Sequence, residues 1–122
     1  MNRRILVIDD DEGLREIIRF SLEVVSEWQV LMAASGQEGL HLAVSEQPDA
    51  ILLDVVMPGS GGLEILTQLQ QRMETRSIPV IMLTAKANGE RRQLLEQGAK
   101  GVIIKPFKPQ ALVSEICALL NW

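Results

Sequence analysis

The sequence contains five short apolar runs, each followed by a segment in which apolar residues recur at helical spacing. The runs cover residues 5–8, 30–33, 51–53, 79–83 and 102–104. Short, continuous apolar runs bounded by turn-forming residues are typical of strands buried on both faces. Strands of this kind that alternate with helices predict a parallel sheet covered by helices on both sides, and right-handed crossovers leave few topologies for it. The predicted fold class is α/β.

The segments between the runs predict amphipathic helices, each with one face turned to the sheet. The predicted inner face of the first helix consists of Leu14, Ile17, Ile18, Leu22 and Val25, with polar residues such as Arg15 between them. Those of the third and fourth helices consist of Leu63, Leu66, Leu69 and Met73, and of Leu94 and Leu95. Ser35 and Glu38 predict a capping box at the second helix, and Pro109 predicts the start of the last helix.

Length and composition predict one domain over residues 1–122, with no output domain in the chain. The formal net charge is −4 and no basic stripe is visible, which argues against direct binding of nucleic acid. The single cysteine, Cys117, cannot form an internal disulfide. The first apolar run is too short for a signal peptide or a membrane span. The predicted location is therefore the cytoplasm, away from the membrane.

Polar side chains stand at the carboxyl ends of four predicted strands: Asp9 and Asp10, Asp54, Thr84, and Lys105. The carboxyl ends of parallel strands meet at one edge of the sheet, where open α/β folds hold their sites. Carboxylates that converge repel each other unless a hard cation such as Mg²⁺ neutralises them. Together with an ammonium and a hydroxyl group, they predict a site for a phosphoryl group, and a carboxylate can itself be the nucleophile. The alternative for each residue is a turn cap or an ordinary ion pair.

The stretches ILVIDDDEGLREII, DAILLDVVMPGSGGLEIL, IPVIMLTA and GAKGVIIKPF resemble the receiver domains of two-component response regulators. The resemblance runs from about Arg3 to Leu120. It implies a chemotaxis-regulator-like, flavodoxin-like (βα)5 fold, doubly wound around a five-stranded parallel sheet in the order 2-1-3-4-5. It implies a signalling domain in a phosphorelay rather than an enzyme. Such a domain promotes its own phosphotransfer and slow autodephosphorylation.

The resemblance also implies partners and metal ligands. A sensor histidine kinase or a phosphotransfer protein would phosphorylate Asp54. Asp10, Asp54 and the backbone carbonyl of Val56 would bind Mg²⁺, and Asp9 would act mainly through a metal-bound water. Asp11 matches no ligand position and is interpreted as an acid at a helix start. A downstream protein would bind the side formed by the fourth helix, the fifth strand and the fifth helix.

Three further positions complete the implied site. Thr84 would hydrogen-bond the phosphoryl oxygen and move toward it on activation. Lys105 would pair with the phosphate, and the peptide bond between Lys105 and Pro106 would be cis.

The sequence departs from the family pattern at Val102, where receivers often carry the aromatic ring that swings inward on activation. Valine has one stiff χ1 angle and no ring, so the usual aromatic switch is absent. Gly61 stands where Asp is common, which predicts a more flexible loop. Val56 and Lys86 are candidates for tuning the lifetime of the aspartyl phosphate.

Two other functions fit part of the pattern. Phosphatases that resemble haloacid dehalogenase use an Asp nucleophile and a second Asp two residues on, the spacing of Asp9 and Asp11. Gly13 stands where those enzymes carry Thr or Val, and repeated turnover of a phosphate ester would identify such an enzyme. A scaffold that is never phosphorylated would be expected to lose acidic or lysine positions, and all are present here.

Overall fold

The computed structural model describes residues 3–57, 59, 61–85 and 89–122. Its strands are β1 (Arg4–Ile8), β2 (Gln29–Ala33), β3 (Ala50–Asp54), β4 (Val80–Thr84) and β5 (Gly101–Ile104). Its α-helices are α1 (Glu12–Ser26), α2 (Gly36–Glu46), α3 (Gly62–Gln71), α4 (Gly89–Glu96) and α5 (Leu112–Leu120). A 3₁₀ turn at Pro109–Ala111 precedes α5, so Pro109 begins this turn and not the α-helix itself. None of the described helices is long and apolar enough to cross a membrane.

The strands form one parallel sheet in the order β2-β1-β3-β4-β5, which confirms the predicted doubly wound, flavodoxin-like fold. The register brings the strand ends level with one another. Asp54 pairs with Leu83, and Thr84 pairs with Ile104. The polar residues that follow the strands therefore meet at one edge of the sheet.

Both faces of the sheet are covered, which explains why the strands are continuous apolar runs instead of alternating patterns. Leu6 and Ile8 of β1 face the hydrophobic core that includes residues of α2, α3 and α4. Ile5 and Val7 face the second core, which includes residues of α1 and α5. All four side chains are fully buried.

Side-chain caps fix the starts of α1 and α2. The Asp11 side chain accepts a hydrogen bond from the Leu14 amide, at 3.2 Å. Ser35 Oγ accepts one from the Glu38 amide at 3.2 Å, and the Glu38 carboxylate accepts one from the Ala34 amide at 3.0 Å. The predicted cap at Ser35 is confirmed, with the return bond one residue earlier than in an ideal capping box.

The predicted inner face of α1 is partly wrong. Ile18 and Leu22 are fully buried, but Ile17 is 47% exposed and Val25 is 58% exposed. At 100° per residue, Ile17 lies with Phe20 and Val24 on a stripe beside the buried one. Val25 lies in the last turn of the helix, one residue before its end. Apolar spacing alone did not separate the two stripes.

Two other helix-face predictions are also wrong. Leu94 is buried while Leu95 is 38% exposed, because adjacent helical positions point about 100° apart. Met73 is 77% exposed, because α3 ends at Gln71 and Met73 lies in the turn that follows.

Candidate functional site

Asp54 is the last residue of β3 and lies within the edge of the sheet, only 6% exposed. The Gly62 amide at the start of α3 donates to the Val55 carbonyl at 2.8 Å, so the helix start sits directly against the end of the strand. A Cβ atom at Gly62 would lie 2.1 Å from the Asp54 carbonyl oxygen. A residue without a side chain is therefore required where α3 meets the backbone of Asp54.

Three carboxylates converge at this edge, as the sequence predicts. Oxygen atoms of Asp9, Asp10 and Asp54 all lie within 4.8 Å of one another. Asp9 is fully buried, whereas Asp10 is exposed. Burial is the main cause of a raised pKa at Asp9, and the charge of Asp54 raises it further. Hydrogen bonds from the Asp11 amide and from Lys105 oppose this rise without cancelling it.

Lys105 follows β5 and reaches into the acidic cluster. Its Nζ atom lies 3.0 Å from Asp54 Oδ1 and 3.4 Å from Asp9 Oδ2. Burial alone would lower the pKa of Lys105, but its hydrogen bonds to and attraction by the two carboxylates outweigh burial and raise it. The Lys105 amide donates to the Thr84 carbonyl at 2.7 Å, and the peptide bond to Pro106 is cis.

The other predicted site residues differ in their exposure and in their place in the fold. Thr84 ends β4 and is 3% exposed. Val56, two residues after Asp54, is 76% exposed. Val102 is 9% exposed and belongs to the same hydrophobic core as Leu94. Lys86 lies outside the described residues.

The donor set suits Mg²⁺. Carboxylate oxygens are the hard ligands that this ion prefers, and it commonly keeps several waters and a phosphate oxygen beside one or two carboxylates. The cluster combines one exposed carboxylate with two buried ones, and among the described residues the Lys105 ammonium balances only part of their negative charge. The residues present therefore fit a divalent cation beside a phosphoryl group.

Two residues of the β1–α1 junction take roles that bear on function. The Asp11 side chain caps α1, so the second acid of the phosphatase-like spacing is used structurally. Arg15, for which the sequence predicts only a polar position on α1, donates from Nη1 to the Asp9 carbonyl at 2.7 Å. The available signal was a long basic side chain one turn into the helix after an acidic strand end, because helical side chains lean toward the helix start.

Comparison with known proteins gives sequence relatives over nearly the whole chain. The family model "Response regulator receiver domain" matches residues 5–117. The phosphate regulon transcriptional regulatory protein PhoB of Pseudomonas aeruginosa is 39% identical over 99% of this chain and 53% of its own length. The alkaline phosphatase synthesis transcriptional regulatory protein PhoP of Bacillus subtilis is 39% identical over 99% of this chain and 50% of its own. The chain spans about half the length of these relatives.

Solved structures agree with this assignment. A response regulator from Chloroflexus aurantiacus has a TM-score of 0.91 and 32% identity, over the full length of both chains. The receiver domain of the sensor histidine kinase PA1611 from Pseudomonas aeruginosa has a TM-score of 0.87 and 26% identity, also over both full lengths. That structure holds a magnesium ion coordinated in its active-site cleft. The chain belongs to the receiver domain family of two-component response regulators.

Proposed function

We propose that this receiver takes up a phosphoryl group on Asp54 in a Mg²⁺-dependent reaction. The change of conformation that follows would control its binding to a downstream protein. The observation that carries the proposal is the position of Lys105. Its ammonium contacts the proposed acceptor and Asp9 at once, at 3.0 and 3.4 Å. A cation shared between two of three converging carboxylates is positioned to follow any change of charge on Asp54.

In the proposed reaction, an Asp54 oxygen attacks the phosphorus of a phosphohistidine on the donor. The oxygen–phosphorus bond forms while the phosphorus–nitrogen bond breaks, and the departing nitrogen takes a proton from water, which leaves an aspartyl phosphate and a neutral imidazole on the donor. Asp10, Asp54 and the Val56 carbonyl would hold Mg²⁺, with Asp9 acting through a metal-bound water. The ion would neutralise charge between the carboxylates and the phosphoryl oxygens.

Lys105 and Thr84 would respond to the new group. Phosphorylation of a side chain adds about −1.5 to −2 charges near neutral pH. The Lys105 ammonium would then pair with a phosphoryl oxygen, and the Thr84 hydroxyl would donate to another. Slow hydrolysis of the aspartyl phosphate would return the domain to its starting state.

The test is treatment with acetyl phosphate and Mg²⁺, followed by intact mass measurement of the wild type and of Asp54→Asn. We expect one phosphoryl group on the wild type and none on the variant. An adduct that survives in Asp54→Asn would refute the acceptor assignment. Continuous turnover of a small phosphate ester would favour a hydrolase, whereas a single stoichiometric load favours a receiver.

A sensor kinase or a phosphotransfer protein would approach across α1. Ile17, Phe20 and Val24 are exposed on one stripe of this helix. A groove of about 460 Å³ beside the stripe is lined by Leu14, Ile17, Ala85, Lys105, Pro106, Phe107 and Pro109. The groove includes the proposed phosphate-binding Lys105, so a donor seated on α1 would reach Asp54. We propose that a helical face of the donor binds this stripe.

The downstream partner is expected on the α4-β5-α5 side, where a second groove of about 500 Å³ lies. Its lining includes Val102 of β5, together with Arg91 of α4 and Lys108. Both cations are exposed, and with the exposed Glu115 on the same lining they leave the groove one net positive charge in a chain of net charge −4. Because Val102 offers no ring, we propose that the signal reaches this face through backbone shifts at the Thr84–Lys105 contact.

A further inference from the structure

We propose that Arg15 is a positioning residue for the metal site, which it serves by fixing the peptide unit from which Asp10 projects. The inference rests on the proposed function, since it assigns a role toward the Mg²⁺ that Asp10 would bind. Arg15 is not one of the proposed Mg²⁺ ligands, and it lies on α1, the helix that follows the acidic pair.

Arg15 makes a direct contact with the loop that carries the acidic pair. It stands at the end of the first turn of α1 and is half-buried. Its Nη1 atom donates to the Asp9 carbonyl oxygen at 2.7 Å. That oxygen belongs to the same planar peptide unit as the Asp10 amide nitrogen. Holding the oxygen in place therefore fixes the direction in which the backbone, and with it the Asp10 side chain, leaves β1.

The rest of the junction is already held, which leaves this peptide unit as the point where Arg15 acts. The Asp9 amide donates to the Ala33 carbonyl at 3.1 Å. The Asp9 carboxylate accepts from the Asp11 amide at 2.9 Å. Asp10, in contrast, is exposed, and its carboxylate stands within 4.8 Å of two others that repel it. Without the hold on the Asp9 carbonyl, Asp10 can relax away from the cluster.

The sign of the effect separates positioning from simple charge. The guanidinium of Arg15 is positive and repels Mg²⁺, so electrostatics alone predicts tighter Mg²⁺ binding once Arg15 is removed. Positioning predicts the opposite. Residues that orient metal ligands typically change metal affinity by about tenfold or more when they are replaced. We expect Mg²⁺ to bind about tenfold more weakly to Arg15→Met.

The experiment is isothermal titration of MgCl₂ into the wild type, Arg15→Met and Arg19→Met. Arg19→Met is the matched control, because Arg19 lies one turn further along α1 and pairs with Glu23 at 3.2 Å. It removes the same charge and leaves the loop contact in place. We expect weaker binding only in Arg15→Met, with its melting temperature in EDTA unchanged. Saturating Mg²⁺ should then restore the wild-type rate of phosphorylation by acetyl phosphate.

Two results would overturn the inference. Equal or tighter Mg²⁺ binding by Arg15→Met would exclude positioning, and an equal loss of affinity in Arg19→Met would show that the effect does not come from the contact with the Asp9 carbonyl. Arg15→Gln, with the same expected weakening, replaces the Met variant if that variant does not fold. A wild type that binds no Mg²⁺ would refute the metal site of the proposed function itself, whereas unchanged binding after loss of Arg15 refutes this inference alone.

Discussion

At the scale of single residues, Lys105 supplies the positive charge that stabilises three neighbouring carboxylates at one edge of the sheet. Lys105→Met would leave Asp54 and Asp9 without their cation, and we expect it to lower the free energy of unfolding by about 2 kcal/mol without Mg²⁺. Added Mg²⁺ should restore part of the loss, since it supplies positive charge to the same space. Urea unfolding in EDTA and in MgCl₂ measures both effects. Lys108→Met, at an exposed position, should change stability by less than about 0.5 kcal/mol; a similar loss in both variants would contradict the argument.

Val56 is the residue expected to set how long the phosphoryl group lasts. Its apolar side chain is 76% exposed, two residues after Asp54, and it cannot hydrogen-bond an attacking water. Val56→Asn would add an amide that can orient such a water. We expect the half-life of the aspartyl phosphate to shorten by up to about tenfold, below the effect of a full general base. Loss of the adduct is followed by intact mass after removal of acetyl phosphate. Val24→Asn is the control, and an unchanged half-life in Val56→Asn would exclude this role.

Residues were predictable from sequence where their position along a strand determined their place. Asp54 and Thr84 end strands of a parallel sheet, so their convergence followed from the pattern of apolar runs alone. Arg15 was not predictable in this way, because its contact depends on a side-chain conformation that reaches back over one helical turn to a backbone oxygen. The spacing of residues along a helix shows the direction in which each Cβ atom points. It does not show where the end of a long side chain lies.

At the scale of elements, the contact between α3 and β3 depends on one glycine. A Cβ atom at Gly62 would lie 2.1 Å from the Asp54 carbonyl oxygen and 2.7 Å from Val55 Cα, and both are backbone atoms that cannot turn aside. We expect Gly62→Ala to cost about 3 kcal/mol of stability and to slow phosphorylation of the displaced Asp54.

Gly61→Ala is the matched control for this prediction. Its Cβ atom would lie 3.9 Å from the Val55 carbonyl oxygen, an ordinary van der Waals contact, and its φ of −67° suits any residue. We expect it to keep or raise stability, by up to about 1 kcal/mol. Urea unfolding and acetyl phosphate labelling of both variants provide the measurement. Equal stability of the two variants would show that α3 does not constrain the acceptor strand.

The exposed stripe of α1 predicts a difference between large and small phosphodonors. Phe20 is 66% exposed on this stripe, and aromatic residues often dominate the energetics of protein interfaces. We expect Phe20→Ser to slow transfer from a purified phosphorylated histidine phosphotransfer protein by about tenfold. Labelling by phosphoramidate, which needs no docking surface, should stay unchanged. Val25→Ser, exposed on another side of the helix, is the control; equal rates from the protein donor would place the docking surface elsewhere.

Helix boundaries and faces were the least predictable part of the elements. Ile17 and Ile18 are equally apolar, yet one is exposed and the other fully buried. Their difference depends on how α1 is rotated against the sheet, which packing of the whole domain determines. Met73 fits the apolar spacing of α3 but lies beyond the end of the helix at Gln71. Residue type alone does not show where a helix ends.

At the scale of the whole molecule, the sheet order was implied by family resemblance, while the alternation of runs established only a parallel α/β sheet. The order β2-β1-β3-β4-β5 places β1 and β3 side by side, so Asp9, Asp10 and Asp54 come from neighbouring strands. Lys105 follows β5, two strands from β3, and spans that distance with a long side chain. The proposed site therefore forms only when the whole sheet is folded, so Mg²⁺ binding should be coupled to the stability of the domain.

The stability of the domain should depend on pH through the buried carboxylate of Asp9. Burial raises the pKa of Asp9 in the folded state, so the folded protein binds a proton there more tightly than the unfolded chain does. Stability from this group is present at low pH and is lost as pH rises from the ordinary aspartate pKa through the raised one. Asp9→Asn cannot ionise, and we expect it to be more stable than the wild type near pH 7 in EDTA, by on the order of 1 kcal/mol. The advantage should vanish in acid.

Magnesium should reverse this order, because an ion that binds only the folded state stabilises it by mass action. The wild type should gain stability in MgCl₂, and Asp9→Asn should gain less. Trp28 and Trp122 pack edge to face at 5.5 Å, and Trp28 precedes β2, at the opposite edge of the sheet from the site. Their fluorescence during urea unfolding therefore reports folding and not occupancy of the site. Glu74→Gln, at an exposed position in the turn after α3, should behave as wild type. If Asp9→Asn lost stability at neutral pH in EDTA, the buried carboxylate would be stabilising the fold, and the expectation that its ionisation opposes folding in the absence of Mg²⁺ would be wrong.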